Sequence, residues 1–360
     1  MLAWFSPQHH LEAFDRLRKY NVSEKEVAQL KEYAGSSDDR ALFRINPRYL
    51  AKWLNWSDGR TLDVLVWSVL ENLWRLEWDS WCPGCGALLH STPDLGKVEA
   101  HQRCPACSWE GDILLDQVVT IYVSLDASVR KLHTARQDDP IFRKVVDTEL
   151  GQMPALRLIN RPVFREALGD RVLPHNQSLG IQHLAVFFSD LKSSTALYQR
   201  LGDAEAYQLV RQHFLSIFEA VETHGGAAVK TIGDGIMGTF LGNSAALLGI
   251  VESMQAIAEL NQMAGLRGQD RLRLKVGLHA GPCIVVTLNH RLDYFGSTVN
   301  IASRVSHMSE GDDLLLSEAV LQDPEAARIV HGLGKSDVLT VTLRGISKPM
   351  ALHRIRFNLI

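Results

Sequence analysis

Asp190 closely follows the apolar run LAVFF, and Asp234 sits in Ile232-Gly-Asp-Gly235 between two strand-like stretches. A carboxylate at a strand end and a second at a neighbouring tight turn make an all-oxygen donor set. Such a set suits a pair of magnesium or manganese ions bound to a phosphate substrate. One aspartate of this kind is usually a turn or cap residue; the pair, taken with the residues that follow, is read as a metal site. Asn300 and Arg304 are four apart on a predicted helix and share a face. A fixed guanidinium beside an amide is suited to stabilise charge on a phosphoryl group in transit. Asp293 precedes Asn300 by seven residues, with Gly296 and Ser297 marking the turn into the helix.

A second chemistry stands in the first half. Cys82-Pro-Gly-Cys85 and Cys104-Pro-Ala-Cys107 are two CxxC pairs with 18 residues between them. A two-residue spacer turns both thiolates toward one ion, and two pairs complete a tetrahedral S4 site with no open position. This reads as a structural zinc ribbon, with redox chemistry the lesser alternative. His90 and His101 are read as surface histidines. Cys283, in GPC, is read as a buried small hydrophobe.

The elements that must position these groups differ between the halves. All eight tryptophans fall within the first 109 residues, whereas most of the 26 glycines lie in the second half, so two separately built halves are expected. Residues 11–33, 47–56 and 62–74 carry helical spacing, and 117–123 (QVVTIYV) reads as a strand. Residues 164–182, polar and punctuated by Pro174 and Gly180, read as a linker. Beyond it, strands are expected at 184–188, 227–232, 236–240, 273–279, 284–288 and 314–317, with helices at 204–222, 244–262 and 298–308. This order fits an α+β, ferredoxin-like sheet. Gly233 to Gly238 also matches GxGxxG. That fingerprint must open a helix, and the residues after it read as strand, so the match is treated as accidental.

The chain holds 38 lysines and arginines against 41 acids, a net charge of -3, which gives no field for general binding to nucleic acid or anionic lipid. Arg40, Arg44, Arg48 and Lys52 cluster beside a segment, 47–74, compatible with a helix-turn-helix or winged-helix core. Asp38, Asp39, Asp58 and Asp63 interleave with them, so a solvated or protein-facing surface is expected. The N-terminus lacks the pattern of an export signal, and no apolar run reaches about 18 residues. A soluble cytoplasmic protein without membrane contact is the expectation.

The stretches FFSDLKSST, VKTIGDGIM, VGLHAGP and LDYFGSTVNIASRV together resemble the catalytic domain of the class III nucleotidyl cyclases, the adenylate and guanylate cyclases, over about residues 182–355. The resemblance implies roles position by position. Asp190, Asp234 and the carbonyl of Leu191 match metal ligands, and Lys230 and Asp293 match the pair that reads the purine. Asn300 would orient the ribose and Arg304 would meet charge on the α-phosphate. Arg344, in LRGISK, falls where the family usually has a lysine for the terminal phosphates. Adenine offers an acceptor at N1 and a donor at N6; lysine only donates and an ionised aspartate only accepts, so ATP is the expected substrate. Guanine reverses both groups and would leave each unmatched, at about 1–3 kcal/mol.

The implied reaction is attack of the ribose 3′-oxygen on the α-phosphorus, with pyrophosphate leaving and two Mg2+ or Mn2+ ions per site. In the family each site lies between two catalytic domains. One chain carrying the whole set is expected to act as a symmetric homodimer. Two positions depart from the pattern: Ser193 stands where glycine is common, and Gly235 replaces a residue more often Ala or Glu. The first half, through INPRYLAKWL and the knuckles, resembles a zinc-ribbon region of unknown function that precedes such domains in some bacterial proteins. It implies control through a regulatory ligand or protein. The expected organisation is a helical, winged-helix-like region over 1–80, the ribbon and a β-containing region over 81–163, the linker over 164–182 and the cyclase domain over 183–357. The rival readings are a nucleotide-binding sensor without turnover and a zinc-ribbon nucleic-acid binder.

Overall fold

The computed structural model describes residues 10–357 apart from 170–172, 175 and 290. Residues 1–9, part of the stretch read for an export signal, lie outside the described residues. Among the described residues no helix is long and apolar enough to cross a membrane. The chain divides into two units, Met1–Gly180 with Val286–Leu292, and Ile181–Val285 with Asp293–Ile360.

Helix starts in the first unit follow local capping chemistry. Ser23 accepts from the Glu26 amide while Glu26 accepts from the Ser23 amide, a closed capping box that opens α1 (Glu24–Ser36). The single helix expected over 11–33 is therefore two pieces, a 3-10 helix at Leu11–Tyr20 and α1, parted by Asn21 in the left-handed region (φ 60°). Asn46 caps α2 (Pro47–Leu54), and Ser57 caps α3 (Asp58–Leu70). The helix expected to run to Trp74 stops at Leu70, because Asn72 is left-handed (φ 55°) and Trp74 opens β1 (Trp74–Trp81).

β1 is the middle strand of a three-stranded antiparallel sheet between β2 (Leu88–Thr92) and β5 (Val119–Leu125), with β5 close to the expected 117–123 strand. β3 (His101–Arg103) and β4 (Glu110–Asp112) form a separate hairpin. Short helices follow: α4 (Thr134–Gln137), α5 (Pro140–Leu150), α6 (Ala155–Ile159) and α7 (Pro162–Ala167). Phe164, in the stretch expected as linker, is fully buried in α7, and that stretch ends inside the next strand. The four cations of the 40–52 cluster are ion-paired: Arg40 with Asp38 and Asp139, Arg44 with Glu77 and Asp79, Arg48 with Asp58, Lys52 with Glu149.

The second unit is built on β6 (Ser178–Leu191), α8 (Ser194–Leu201), α9 (Asp203–Thr223), β7 (Ala227–Ile232), β8 (Gly235–Phe240) and α10 (Asn243–Met263). β9 (Leu274–Leu288), β10 (Arg291–Phe295), α11 (Ser297–His307) and β11 (Asp313–Ser317) follow, with β10 an unforeseen strand in the expected order. The strands expected at 273–279 and 284–288 are one strand. Pro282 interrupts the apolar pattern but is exposed, so its missing N–H costs no buried hydrogen bond. α12 (Glu318–Leu321), α13 (Pro324–Gly332), β12 (Ser336–Val341) and β13 (Met350–Arg356) come next, all four unforeseen. The sheet order is β12-β13-β11-β9-β6-β8-β7, with β10 pairing off β9.

β11 shows how the sheet divides two cores. Leu314 and Leu316 point into the main core with Phe187, Ile217, Phe240, Ile250 and Leu278, whereas Leu315 points the other way onto Val305, Leu343 and Leu352. Alternate side chains on a strand face opposite sides, so a sheet covered on both faces needs such a continuous apolar run. α11 lies on the second face. A Cβ at Gly277 would fall 2.1 Å from the Ser306 amide nitrogen, so only glycine admits the helix at this height above β9.

Candidate active site

Strand pairing brings the two aspartates together. Ser189 of β6 pairs with Ile236 of β8, which sets Asp190 beside the β7–β8 turn that carries Asp234. The Leu191 amide donates to Asp234 Oδ2 at 3.3 Å. Burial first, and then the charge of Asp234, raises the Asp190 carboxyl above its ordinary value. Two crowded carboxylates are an arrangement that a hard divalent cation relieves, and the oxygen-only donors fit one. Lys275, on β9, was not singled out from the sequence; its ammonium stands 3.9 Å from Asp190 Oδ2. Its position next to the Val-Gly-Leu-His run was the available signal.

The two departures from the family pattern have local causes or costs. A Cβ on residue 235 would fall 2.5 Å from the Ser189 carbonyl oxygen, so the close approach of β8 to β6 in this chain needs Gly235. Ser193 takes φ 60° and ψ 32°, the left-handed conformation that glycine adopts freely and serine at a cost of about 1–2 kcal/mol.

Lys230 and Asp234 are four residues apart yet turn to different partners. Lys230 Nζ reaches Asp293 Oδ2 at 2.5 Å, and Asp293 Oδ1 accepts from the Tyr294 amide at 2.9 Å. Asp293 is buried on β10 while Lys230 stays exposed, 6.0 Å from the ring of Phe295. Asn300 and Arg304 lie on one side of α11, and the Arg304 guanidinium packs against Gly345, the neighbour of Arg344. Arg344 is exposed in the turn between β12 and β13. Among the described residues no hydrogen bond or ion pair joins Asp190 or Asp234 to Lys230, Asp293, Asn300 or Arg304. By hydrogen bonds and ion pairs, the carboxylate pair thus stands apart from the Lys230–Asp293 pair and from Asn300 and Arg304 on α11.

The four cysteines of the first unit converge, their sulfurs all within 4.8 Å of one another. Cys82 and Cys107 are 3.5 Å apart, Cys85 and Cys104 3.7 Å. A tetrahedron of sulfurs at 2.3 Å from zinc has edges of about 3.8 Å, so the cluster fits one ion of that size. Each knuckle closes alike: the Gly86 amide donates to the Cys82 carbonyl and the Ser108 amide to the Cys104 carbonyl, with Gly86 and Ser108 both left-handed. The Cys107 amide, aided by that of Ala106 and opposed by burial, lowers the Cys104 thiol to about 7. His101 and His90 are exposed, and His101 pairs with Asp112 and Glu110 rather than joining the cluster. Cys283 is buried.

Residues 177–345 match the family described as the adenylate and guanylate cyclase catalytic domain, and residues 8–144 match a family of unknown function. The segment 177–345 is thus a class III cyclase catalytic domain, a member of the adenylate and guanylate cyclase family. Relatives include an adenylate cyclase of Mycosarcoma maydis, 31% identical over 44% of this chain and 7% of its own length. An uncharacterized protein of Mycobacterium tuberculosis is 32% identical over 55% of this chain and 46% of its own. The chain thus spans less than half the length of either relative. Among solved structures, an adenylyl cyclase of P. aeruginosa aligns with 51% of this chain and 97% of its own at 22% identity, with a TM-score of 0.44.

Proposed function

We propose that this chain is an adenylate cyclase, converting ATP to 3′,5′-cyclic AMP and pyrophosphate at sites shared between two copies. The observation that carries the base choice is the Lys230–Asp293 pair. It offers one donor and one acceptor side by side, the complement of adenine N1 and N6. Relatives named as adenylate and as guanylate cyclases occur together, so the argument rests on this pair.

Asp190, Asp234 and the Leu191 carbonyl would hold two magnesium or manganese ions. Bound there, the cations lower the pKa of the 3′-hydroxyl and neutralise the phosphates. Asn300 orients the ribose and Arg304 meets the charge that develops as the 3′-oxygen bonds to the α-phosphorus and the bond to pyrophosphate breaks. Arg344 holds the terminal phosphates, and the 3′ proton leaves to solvent. That no hydrogen bond or ion pair among the described residues joins Asp190 or Asp234 to Lys230, Asp293, Asn300 or Arg304 supports completion of each site by a second copy, and hence a homodimer. The four thiolates hold a structural zinc, and the unit that contains them controls turnover.

Incubation of the whole chain with manganese and either ATP or GTP, followed by chromatography, tests the reading. Cyclic AMP is expected from ATP, with a loss of at least 100-fold in Arg304→Ala and in Asp190→Ala. A dimer that binds ATP tightly and forms no cyclic nucleotide would overturn it in favour of a nucleotide sensor, the reading that strained Ser193 favours.

A further inference from the structure

The sheet of the first unit has one face that contradicts the usual economy of a core. Residues paired across antiparallel strands share a face, so Glu77 with Tyr122, Asp79 with Thr120, and Asp79 with Ser91 put one polar surface on β1, β2 and β5. Asp79, Thr120, Tyr122 and Ser124 on it are all buried. Buried polar groups cost stability unless paired, and an apolar face would serve a purely structural sheet better. Above this face, under α5, lies a hollow of about 770 Å³, within the size range of small-molecule sites. It is lined by Arg44, Asp79, Trp81, Leu88, Tyr122 and Asp147, among others.

The floor is wired but incomplete. Arg44 donates to Asp79 Oδ2 at 2.6 Å and to Ser91 at 2.7 Å, and pairs with Glu77 at 3.0 Å. Asp147 accepts from Tyr122 at 2.6 Å and from Asn46 at 2.9 Å. Asp79 Oδ1 and Arg44 Nε are nevertheless buried without a partner, and Asp79 is 1% exposed. Arg44 itself is left-handed (φ 47°), a strained setting for a residue with a long side chain. The hollow is lined by the cations Arg44, Arg143 and Lys144 and the carboxylates Asp79 and Asp147, and the carboxylates Glu77 and Asp138, outside the lining, pair with Arg44 and Arg143. The walls are aromatic and apolar: Trp81, Tyr122, Leu88 and Pro140.

We propose that this hollow is a binding site for a small aromatic amine, with the ammonium donating to Asp79 Oδ1 and the ring held among Trp81, Tyr122 and Leu88. Its wall at Gly86 and Leu88 directly follows the Cys82–Cys85 knuckle, so an occupant would touch the segment that the thiolate cluster holds in place. The site stands apart from the cyclase reading, and binding rather than turnover reads it.

Calorimetric titration of the whole chain with tryptamine and with tyramine tests the site, with 3-ethylindole and 4-ethylphenol as neutral counterparts. The amines are expected to bind, and the neutral counterparts at least tenfold more weakly. Asp79→Asn is expected to weaken amine binding at least tenfold. Since Asp79 also pairs with Arg44, Leu88→Trp provides a second arm: it fills the hollow from a partly exposed position and leaves the polar floor intact, and it should abolish binding. Absence of binding by both amines to the folded chain at millimolar concentration would overturn the proposal, as would equal affinity for amines and neutral counterparts, or unchanged affinity in Leu88→Trp.

Discussion

In the proposed reading, Lys230 and Asp293 would act on recognition through what each lacks. Lysine has no acceptor and an ionised carboxylate no donor, so together they complement only one arrangement of groups on a purine edge. The structure places them in direct contact, with Asp293 buried on β10 and fixed further by the Tyr294 amide. Replacing Lys230 by Glu and Asp293 by Cys removes the donor and the obligate acceptor at once. Each mismatch costs about 1–3 kcal/mol, so the ATP-to-GTP preference in kcat/KM is expected to fall by at least tenfold and to move toward GTP. Steady-state rates with both nucleotides check this, and an unchanged preference would show that the base is read elsewhere. Ser193 shows the opposite relation between residue and site: its left-handed backbone keeps the turn after Asp190 in the shape a glycine would take, at a local cost in strain.

At the scale of elements, single approaches decide which helix can stand where. α11 carries Asn300 and Arg304, and its height above β9 depends on the missing side chain of Gly277. The 82–112 segment is held differently. β3 and β4 are three residues each and mostly exposed, too short to bury an apolar core of their own. In the proposed zinc site the four thiolates would supply the tertiary link, and metal binding would become folding energy for the ribbon. Purified chain is expected to contain about one zinc per copy. Cys82→Ser should release it and open 82–112 to proteolysis, with β6 to β9 still folded. Metal analysis with limited proteolysis reads both effects, and full zinc content in Cys82→Ser would refute the four-thiolate site.

For the whole molecule, the decisive feature is that among the described residues no hydrogen bond or ion pair joins Asp190 or Asp234 to Lys230, Asp293, Asn300 or Arg304. A shared site predicts complementation. Asp190→Ala and Arg304→Ala chains are each expected to be inactive alone, while equimolar mixing should give heterodimers with one intact site. With random pairing, about a quarter of the wild-type activity returns. Rates of the mixture against each parent, with exchange confirmed by differently tagged chains, check this. Failure of well-folded mixed dimers would count against sites built from two copies.

What was legible in the sequence was what local chemistry determines. Apolar alternation and caps located β7, β8, α9, α10 and α11 within a residue or two, and the doubled CxxC spacing specified a four-sulfur cluster before any contact was known. The same local rules failed where distant residues decide: one strand was read as two at Pro282, because its exposure depends on which neighbour β9 has there. β12 and β13 went unread because their apolar residues find a partner only beyond β11. The contact of Lys275 with Asp190 and the buried polar face beneath the N-terminal hollow were likewise invisible. Residue type states which bonds a side chain can make; only the tertiary structure decides which of those bonds are left open.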